Sequence, residues 1–394
     1  MPDMLLPTPE GTLEDYRLQG TPLVPRAPHT AFTRTAFAAA HVVSDPLRER
    51  DPWVGRPAVD WETTLSFRRG LWDQGLHLAE AMDTAQRGMG VDWLTAKELI
   101  ERTMAEAKQH PLKPRVACGA GTDHKDPCDL RDPAAIVDAF ETQMEAIEAA
   151  GGQVILMATR ALPAINADAG TYKRVYSRLI GQASQPVILH FLGDAFDPAL
   201  KGYWGADEFA AAAQTVLEII EAHKDKVDGI KISLLEQAYE EELRSRLPEG
   251  VLLYTGDDFN YGALIEGDGT RHSHALLGIF AAIAPAASRA LEALAAGDRA
   301  RYHRLLEPTV PLSREIFRAP TRFYKAGIAF LAWLNDAQPH FIMPGGFQSA
   351  RDITHYASVF RLADQAGLLS KPDIAENRMG QLLALHGIQE VTSG

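Results

Sequence analysis

The sequence has little cysteine, no long apolar run and fewer basic than acidic residues. Its 394 residues include only two cysteines, Cys118 and Cys128, which are too few to cross-link a chain of this length. The longest apolar run, residues 275–287, is shorter than a membrane span, and the N-terminus lacks the basic region and apolar core of a signal peptide. With 39 basic and 52 acidic residues, the net charge of −13 repels phosphate backbones and anionic bilayers. We therefore expect a cytoplasmic protein that binds neither nucleic acid nor a membrane.

The rest of the composition is that of an ordinary folded protein. Apolar residues make up 46% of the chain and charged residues 23%, which excludes disordered, collagen-like and coiled-coil chains. The length allows two or three domains, or one barrel of about 250 residues with additions. Six prolines among the first 30 residues, with little periodicity, predict an N-terminal arm over residues 1–30.

Beyond this arm, helical patterns alternate with short apolar runs. The clearest helix spans residues 133–150, where Asp132 can cap the first turn, apolar residues recur on one face and Gly151 ends the pattern. A second helix is predicted over residues 206–223.

Eight apolar runs are too short for helices and lack polar alternation, as expected of parallel strands covered on both faces. They span residues 35–43, 76–82, 115–118, 153–158, 186–191, 227–232, 251–255 and 275–283. Eight such strands with intervening helices predict an α/β protein, a (β/α)8 TIM barrel over residues 31–290, with an open doubly wound sheet as the alternative. A C-terminal helical extension is predicted over residues 291–394, with helices at 321–335 and 350–366.

Polar side chains follow the predicted strands, at the end where a barrel builds its chemistry. We predict that nine of these residues bind substrate: His41, Asp83, Thr84, Gln86, Asp123, His124, Arg160, Asp257 and Asp258. His274, which lies before or early in the eighth strand, is predicted to bind substrate as well. For Asp83 an alternative is pairing with Arg87, four residues on, which would neutralise its charge.

Lys231 is the residue that most directly indicates chemistry. In Gly229-Ile230-Lys231-Ile232 the period of a strand turns the two isoleucines toward the helices and the lysine into the barrel. Desolvation lowers the pKa of an amine, and a neutral amine attacks a carbonyl to give a Schiff base. The alternatives are an internal ion pair with Asp257 or Asp258, or a side chain that extends to solvent at the strand end.

His190 is predicted to lie beside Lys231. It ends the run Val187-Ile188-Leu189-His190 and shares a face with Ile188, so it also points into the barrel, one strand away. A histidine can move protons near neutral pH, although a hydrogen-bonded core histidine is the alternative. Lys231 and His190 are our two predicted catalytic residues.

These residues carry a resemblance to a known family. A lysine ending the sixth strand in Gly229-Ile230-Lys231, followed by Tyr254-Thr255-Gly256-Asp257-Asp258 at the end of the seventh, resembles the dihydrodipicolinate synthase and N-acetylneuraminate lyase family of class I aldolases. The similarity covers residues 32–335. The segments at 39–43 and 79–88 resemble those of a divergent branch.

The resemblance implies a TIM barrel with a helical extension, assembled as a homo-oligomer (dimer or tetramer), in which Lys231 forms a Schiff base with a small carbonyl substrate and no other cofactor takes part. Where that family has a Gly-Thr-Thr-Gly-Glu loop that holds a 2-keto-acid carboxylate, this chain has Asp83-Thr84-Ala85-Gln86. Where the family has a proton-shuttling tyrosine, this chain has His190. The expected substrate is a keto sugar or a sugar-derived acid, and because Asp83 repels carboxylates, the neutral keto sugar is favoured over pyruvate.

Three functions fit these observations. The first is a class I aldolase, lyase or dehydratase in which Lys231 forms the Schiff base and His190 moves the proton. The second is a divalent-metal-dependent aldolase, isomerase or hydrolase of a sugar-like substrate, because clustered His and Asp also suit a metal. The third is a non-catalytic binder on the same barrel.

Two further patterns concern metals and self-association. Cys118, His124 and Cys128 lack the CxxC spacing and the fourth ligand of a zinc site, so no metal site is predicted. The helical tail carries Phe330, Trp333 and Phe341, which predict an apolar surface suited to self-association.

Overall fold

The computed structural model describes residues 4–48 and 56–388, and its central feature is a closed barrel of eight parallel strands. Two antiparallel strands, β1 (Met4–Pro7) and β2 (Leu13–Tyr16), precede it. The barrel strands are β3 (Ala36–Ala39), β4 (His77–Glu80), β5 (Val116–Ala120), β6 (Gln153–Leu156), β7 (Val187–Leu192), β8 (Val227–Ser233), β9 (Leu252–Thr255) and β10 (His274–Leu277). They follow one another around the barrel in sequence order, and β10 pairs with β3 to close it. The predicted barrel is confirmed and the open-sheet alternative is wrong.

Helices connect the strands and follow the last one. They are α1 (Trp61–Asp73), α2 (Trp93–Gln109), α3 (Pro133–Ala150), α4 (Ala161–Ala164), α5 (Ala169–Gln182), α6 (Phe209–Ala222), α7 (Gln237–Arg246), α8 (Tyr261–Glu266), α9 (Ala284–Ala295), α10 (Arg299–Leu306), α11 (Thr309–Ile316), α12 (Lys325–Leu334), α13 (Ile353–Gln365) and α14 (Pro372–Leu385). Local sequence sets their ends. In α3, for example, the side chain of Asp132 accepts a hydrogen bond from the backbone N–H of Ala135, and Gly151 terminates the helix in the left-handed conformation.

The described chain forms two compact units. The barrel unit comprises Arg34–Ala40 and His77–Gly278, and it holds the eight strands together with α2 to α8. The helical unit comprises the other described residues, including α1 and α9 to α14, so the predicted C-terminal helical region is present. The predicted boundaries at residues 30 and 290 stay predictions. None of the helices in the described residues has the length and apolar character of a membrane span.

The barrel interior is filled by apolar side chains that alternate along the strands. Its core consists of Phe37, Ala39, Ala79, Met82, Ala117, Ile155, Met157, Ile188, Tyr254 and Leu276. Because side chains alternate between the two faces of a strand, His190 and Gly119, which lie two positions beyond Ile188 and Ala117, also face the interior.

Polar residues close the barrel at the N-terminal ends of its strands. Tyr254 donates a hydrogen bond to Asp228, with the Tyr254 hydroxyl 2.6 Å from Oδ2, and Arg115 donates to both Asp228 (3.2 Å) and Gln153 (2.9 Å). The guanidinium of Arg115 lies 5.3 Å from the centre of the Phe37 ring. We call Arg115, Gln153, Asp228 and Tyr254 the N-terminal polar network; each of its members has a hydrogen-bond partner within the network.

The helical unit differs from the sequence expectations in two places. The sequence predicts no strand within residues 1–30, yet β1 and β2 form a hairpin in which Leu6 is fully buried. Phe330 and Trp333 are buried, and Phe341 packs with its ring centre 4.9 Å from that of Trp333. The prediction that these aromatic residues form an exposed apolar surface is therefore wrong, because they pack against one another.

Candidate active site

Lys231 and His190 occupy neighbouring positions on adjacent strands. In the parallel pairing of β7 and β8, Ile188 lies opposite Gly229 and His190 lies opposite Lys231. Ile188 belongs to the barrel core, so the alternation of side chains directs both His190 and Lys231 into the barrel interior. Both residues lie toward the C-terminal ends of their strands, which we call the mouth of the barrel.

The stem of Lys231 lies against a glycine. A Cβ atom added to Gly256, directly after β9, would lie 2.7 Å from Cε of Lys231 and would overlap with the hydroxyl of Ser233. Real Cβ atoms essentially never approach so closely. Residue 256 therefore has to be glycine for the lysine to pass along this strand end.

The amine of Lys231 is enclosed but unpaired. Among the described residues, its Nζ makes no hydrogen bond or close ion pair, although part of the side chain remains accessible to solvent. Burial lowers the pKa of Lys231, and the carboxylates of Asp83 and Asp258 oppose that effect only in part. An amine with a lowered pKa is neutral over a wider pH range and is the nucleophilic form.

His190 is fully buried and its ring contacts one hydroxyl group. Its Nε2 lies 3.3 Å from Oγ of Ser233, the last residue of β8, which is itself 1% exposed. Its Nδ1 has no hydrogen-bond partner in the described part of the chain. Burial and the nearby charge of Lys231 hold the pKa of His190 well below its ordinary value, so the ring is neutral at physiological pH.

Two carboxylates act on Lys231 from the loops at the mouth. Asp83 follows β4 and is half-buried, and Asp258 follows β9 and is 4% exposed. Both raise the pKa of Lys231 by Coulombic attraction, against the larger effect of burial. These two carboxylates carry negative charge close to the amine, and this charge disfavours an anionic group on a ligand there.

Arg87 does not neutralise Asp83. Its side chain forms a bidentate ion pair with Asp123, in which Nε lies 2.9 Å from Oδ2. Its remaining donors bind the backbone carbonyls of Ala81 and Gly119 and the side chain of Gln143. The alternative in which Asp83 pairs with Arg87 is therefore wrong, because Arg87 pairs with Asp123.

Gln143 organises this part of the mouth and was not anticipated from the sequence. Located on α3 and fully buried, it accepts hydrogen bonds from Arg87 (2.9 Å) and from the backbone of Gly121 (2.7 Å). Its amide nitrogen lies 2.9 Å from Asp123 and 3.0 Å from Nδ1 of His124. Burial alone would raise the pKa of Asp123, but Arg87 and Gln143 outweigh it, so the pKa is lowered. The available signal was a glutamine on the apolar face of the predicted helix.

A second buried group consists of hydroxyls beyond β5 and β6. The hydroxyl oxygens of Thr122 and Thr159 are 2.6 Å apart, and the backbone N–H of Thr159 donates to the hydroxyl of Tyr203. That hydroxyl lies 2.8 Å from the hydroxyl of Tyr176. Burial raises the pKa of Tyr203 to about 12, so this group carries no charge at neutral pH.

Several residues predicted to bind substrate have structural roles in the mouth loops. Asp257 accepts hydrogen bonds from the backbone N–H groups of Phe259 (2.8 Å) and Asn260 (3.0 Å), which fixes the turn after β9. Gln86 donates to the backbone carbonyl of Met89 at 2.9 Å and adopts a left-handed conformation. Thr84 is buried in the loop after β4, and Arg160 forms an exposed ion pair with Asp197 at 2.5 Å.

Two predicted histidines belong to other surroundings. His274 begins β10, and its Nδ1 accepts the backbone N–H of Thr35 at 2.8 Å, so it lies at the N-terminal end of the barrel. The sequence places His274 before or early in the eighth strand, and β10 indeed begins at this residue. The prediction that His274 binds substrate at the mouth is wrong, because the start of a barrel strand lies at the opposite end of the barrel. His41 belongs to the helical unit, where its Nε2 lies 2.6 Å from Oε1 of Gln338 and its ring packs on Phe67. Burial lowers the pKa of His41 to about 4, which is the state of a core histidine.

The two cysteines differ in environment. Cys118 is buried in β5 and Cys128 is exposed. Over residues 4–48 and 56–388, no group of three His, Cys, Asp or Glu side chains is arranged to hold a metal ion.

A closed (β/α)8 barrel with an inward lysine on β8 and an inward histidine on β7 defines the structural class of this chain. The chain belongs to the family described as "Protein of unknown function (DUF993)", whose model matches residues 4–388. No curated protein matches the sequence.

Solved structures with a similar fold include dihydrodipicolinate synthases. The enzyme from Aquifex aeolicus superposes with a TM-score of 0.60 at 11% identity, covering 90% of this chain and 98% of that one. The enzyme from Bacillus clausii gives a TM-score of 0.57 at 15% identity, covering 83% and 96%. A variant described as monomeric gives 0.61 at 14% identity, covering 86% and 100%. The family resemblance predicted from the sequence is thus confirmed at the level of the fold.

Proposed function

We propose that this protein is a class I aldolase, lyase or dehydratase in which Lys231 forms a Schiff base with a small carbonyl substrate. One observation carries the proposal: Lys231 lies inside the barrel with a lowered pKa and without a hydrogen-bond or ion-pair partner in the described chain. A buried lysine that serves the fold is normally paired. An unpaired amine at the mouth of a barrel suits a nucleophile.

The proposed reaction starts with attack of the neutral Nζ on the substrate carbonyl carbon. A C–N bond forms and the carbonyl oxygen departs as water. The imine takes up one proton from the medium, so the product is a protonated imine. This group accepts the electron pair of the bond that breaks next. In aldol cleavage, a base removes the proton of the β-hydroxyl, the carbon–carbon bond breaks to give an enamine, and an aldehyde departs. The neutral ring of His190 supplies that base.

The substrate we propose is a neutral keto sugar or a related polyol. Asp83 and Asp258 place negative charge close to the amine. Arg87 forms an ion pair with Asp123 and does not offset that charge. The carboxylate of a 2-keto acid would therefore be repelled, whereas hydroxyl groups can donate hydrogen bonds to carboxylates. Kinetic profiling should rank a neutral keto sugar above pyruvate and above 2-keto-3-deoxy acids. If one of these acids were the best substrate, the assignment of Asp83 would have to be abandoned.

Covalent capture tests the lysine directly. We expect incubation with dihydroxyacetone, a neutral hydroxy ketone, and borohydride to add the mass of the reduced ketone less one water to the peptide that contains Lys231. Lys231→Arg keeps a positive charge but has no nucleophilic amine, so it should lose both capture and turnover. Chelation should leave turnover intact. Activity in Lys231→Arg, or its loss with a chelator in the native protein, would favour the metal-dependent alternative. Capture without turnover of any carbonyl compound would favour a binding protein.

Location and assembly complete the proposal. We propose a cytoplasmic homo-oligomer, a dimer or tetramer, in carbohydrate metabolism. The assembly rests on the family resemblance alone, since the aromatic residues of the helical tail are buried, and one structural neighbour is described as monomeric. Sedimentation velocity over a range of concentrations distinguishes a monomer from these assemblies.

A further inference from the structure

Ser233 is a buried polar residue at the end of the strand that carries Lys231. Two residues beyond Lys231 on β8, it faces the same side of the strand, and in the strand pairing it lies opposite Leu192, two residues beyond His190. Its hydroxyl oxygen is 3.3 Å from Nε2 of His190. The serine therefore contacts the ring of the predicted base directly.

The same hydroxyl lies beside the stem of the lysine. The space in front of Gly256 is shared by Oγ of Ser233 and Cε of Lys231, since a single added Cβ would collide with both. Cε carries the amine, so the hydroxyl and the attacking nitrogen lie on the same side of this strand end. Both Ser233 and His190 are almost fully buried, so bulk water has little access to the hydrogen bond between them.

Schiff-base formation needs a proton transfer at this point. When an amine adds to a carbonyl, the first adduct has a positive nitrogen and a negative oxygen. One proton must leave the nitrogen and one must reach the oxygen before water can depart. A protein group held beside both atoms would carry this proton directly between them and so speed the transfer.

We propose that Ser233 is a catalytic residue that carries this proton, with His190 orienting its hydroxyl. In one step, the hydroxyl proton of Ser233 passes to the negative oxygen while Oγ takes a proton from the positive nitrogen. The adduct becomes a neutral carbinolamine, Ser233 regains its proton, and no further reactant is needed. This inference rests on the proposed function, since it presupposes that Lys231 attacks a carbonyl.

The test separates the rate of Schiff-base formation from its final extent. Native protein is mixed with dihydroxyacetone, quenched with borohydride at successive times, and the adduct at Lys231 is quantified by mass spectrometry. Ser233→Ala should reach the same final adduct level, because the amine is untouched. Its rate constant should fall by about 10²-fold or more, the usual contribution of a positioned acid–base group. Ser233→Thr keeps the hydroxyl and should recover most of the rate.

A matched control removes a different buried serine hydroxyl. Ser288 lies in the helical unit, where it donates to the backbone carbonyl of Gln74 at 2.7 Å. Ser288→Ala should leave both the rate and the extent of capture unchanged. A second readout uses buffer concentration: the slow rate of Ser233→Ala should rise with the concentration of a small buffer acid, whereas the native rate should not. A purely structural serine would produce no such dependence.

The outcomes are distinct. An adduct at Lys231 that forms at the native rate in Ser233→Ala would overturn the role of Ser233 while leaving the proposed function in place. No adduct at Lys231 in the native protein would overturn the proposed function, and the role of Ser233 with it. A fall in the final extent of capture, in a variant with native circular dichroism, would also overturn the proton-transfer role, because it would show that Ser233 binds the ketone.

Discussion

Both ends of the barrel carry polar groups, but the two ends differ in whether these groups have hydrogen-bond partners. At the N-terminal end, Arg115, Gln153, Asp228 and Tyr254 are joined by hydrogen bonds of 2.6 to 3.2 Å. At the mouth, Lys231 has no hydrogen-bond partner among the described residues, and His190 has one long contact with Ser233. The first arrangement neutralises buried polarity, whereas the second leaves a titratable group unsatisfied.

This difference indicates where the fold serves stability and where it serves chemistry. Pairing buried polar groups offsets the cost of removing them from water. Leaving an amine unpaired makes its charged form costly, which lowers its pKa and makes the neutral form available. Substitutions at the two ends should therefore have opposite consequences for stability and activity.

The largest expected effect comes from removing the amine. Lys231→Met should abolish covalent capture and turnover, while the melting temperature stays equal to that of the native protein or rises, because an amine without a hydrogen-bond partner is replaced by an apolar side chain of similar volume. Borohydride capture and thermal denaturation measure the two quantities.

Lys325 provides the matched control for this substitution. Lys325 is buried, and its Nζ donates to the backbone carbonyl of Arg322 at 3.0 Å. Lys325→Met should lower the melting temperature and leave capture intact. A strong loss of stability in Lys231→Met would contradict the contrast between paired and unpaired amines.

A change at the N-terminal end should give the reverse result. Asp228→Ala leaves the hydroxyl of Tyr254 and a donor of Arg115 without their acceptor, so the free energy of unfolding should fall by about 1–3 kcal/mol. Capture at Lys231 should be unchanged when measured well below the melting temperature. Asp228→Asn keeps an acceptor oxygen and should lose less stability. Equal stability of Asp228→Ala and the native protein in urea denaturation would argue against a stabilising network.

The smallest expected effect comes from removing the charge of Asp83 at the mouth of the barrel. The carboxylate of Asp83 raises the pKa of Lys231, so Asp83→Asn should lower that pKa further. The neutral fraction of the amine at a given pH then increases, and the rising limb of the capture rate against pH should move to lower pH by about one unit. Asp194→Asn, an exposed carboxylate after β7, is the control and should leave the limb in place. A shift toward higher pH in Asp83→Asn would refute the assigned electrostatics.

The fold followed from the sequence because strand burial leaves a local pattern. Runs such as Val187-Ile188-Leu189 lack polar alternation, and their parity also gave the inward orientation of Lys231 and His190. The assignment of roles to the mouth residues was less accurate, because adjacency to a strand end does not reveal hydrogen bonds. Asp257 turned out to fix its own loop, a role that the same residue type supports equally well.

Other parts of the site depend on contacts between distant segments. Gln143 reaches Arg87 and Asp123 from a helix, and only the tertiary fold brings these residues together. The start of β10 was predicted to within one residue, but a residue at the start of a strand lies at the N-terminal end of the barrel, so His274 could not reach the mouth. Ser233 directly follows the predicted strand at residues 227–232, but its contact with His190 depends on the pairing register of β7 and β8.

Gly256 bears on how substrate preference can diverge on this barrel. The stem of Lys231 rests on a strand end that has no side chain, so the reach of the amine is set by the backbone of β8 and β9. Substitutions in the loops that carry Asp83, Asp123 and Arg160 can thus exchange contacts with a ligand while the amine keeps its position. Evolution can then vary the ligand and the nucleophile independently. Relatives that retain the lysine are expected to retain glycine at this position, while their mouth loops differ.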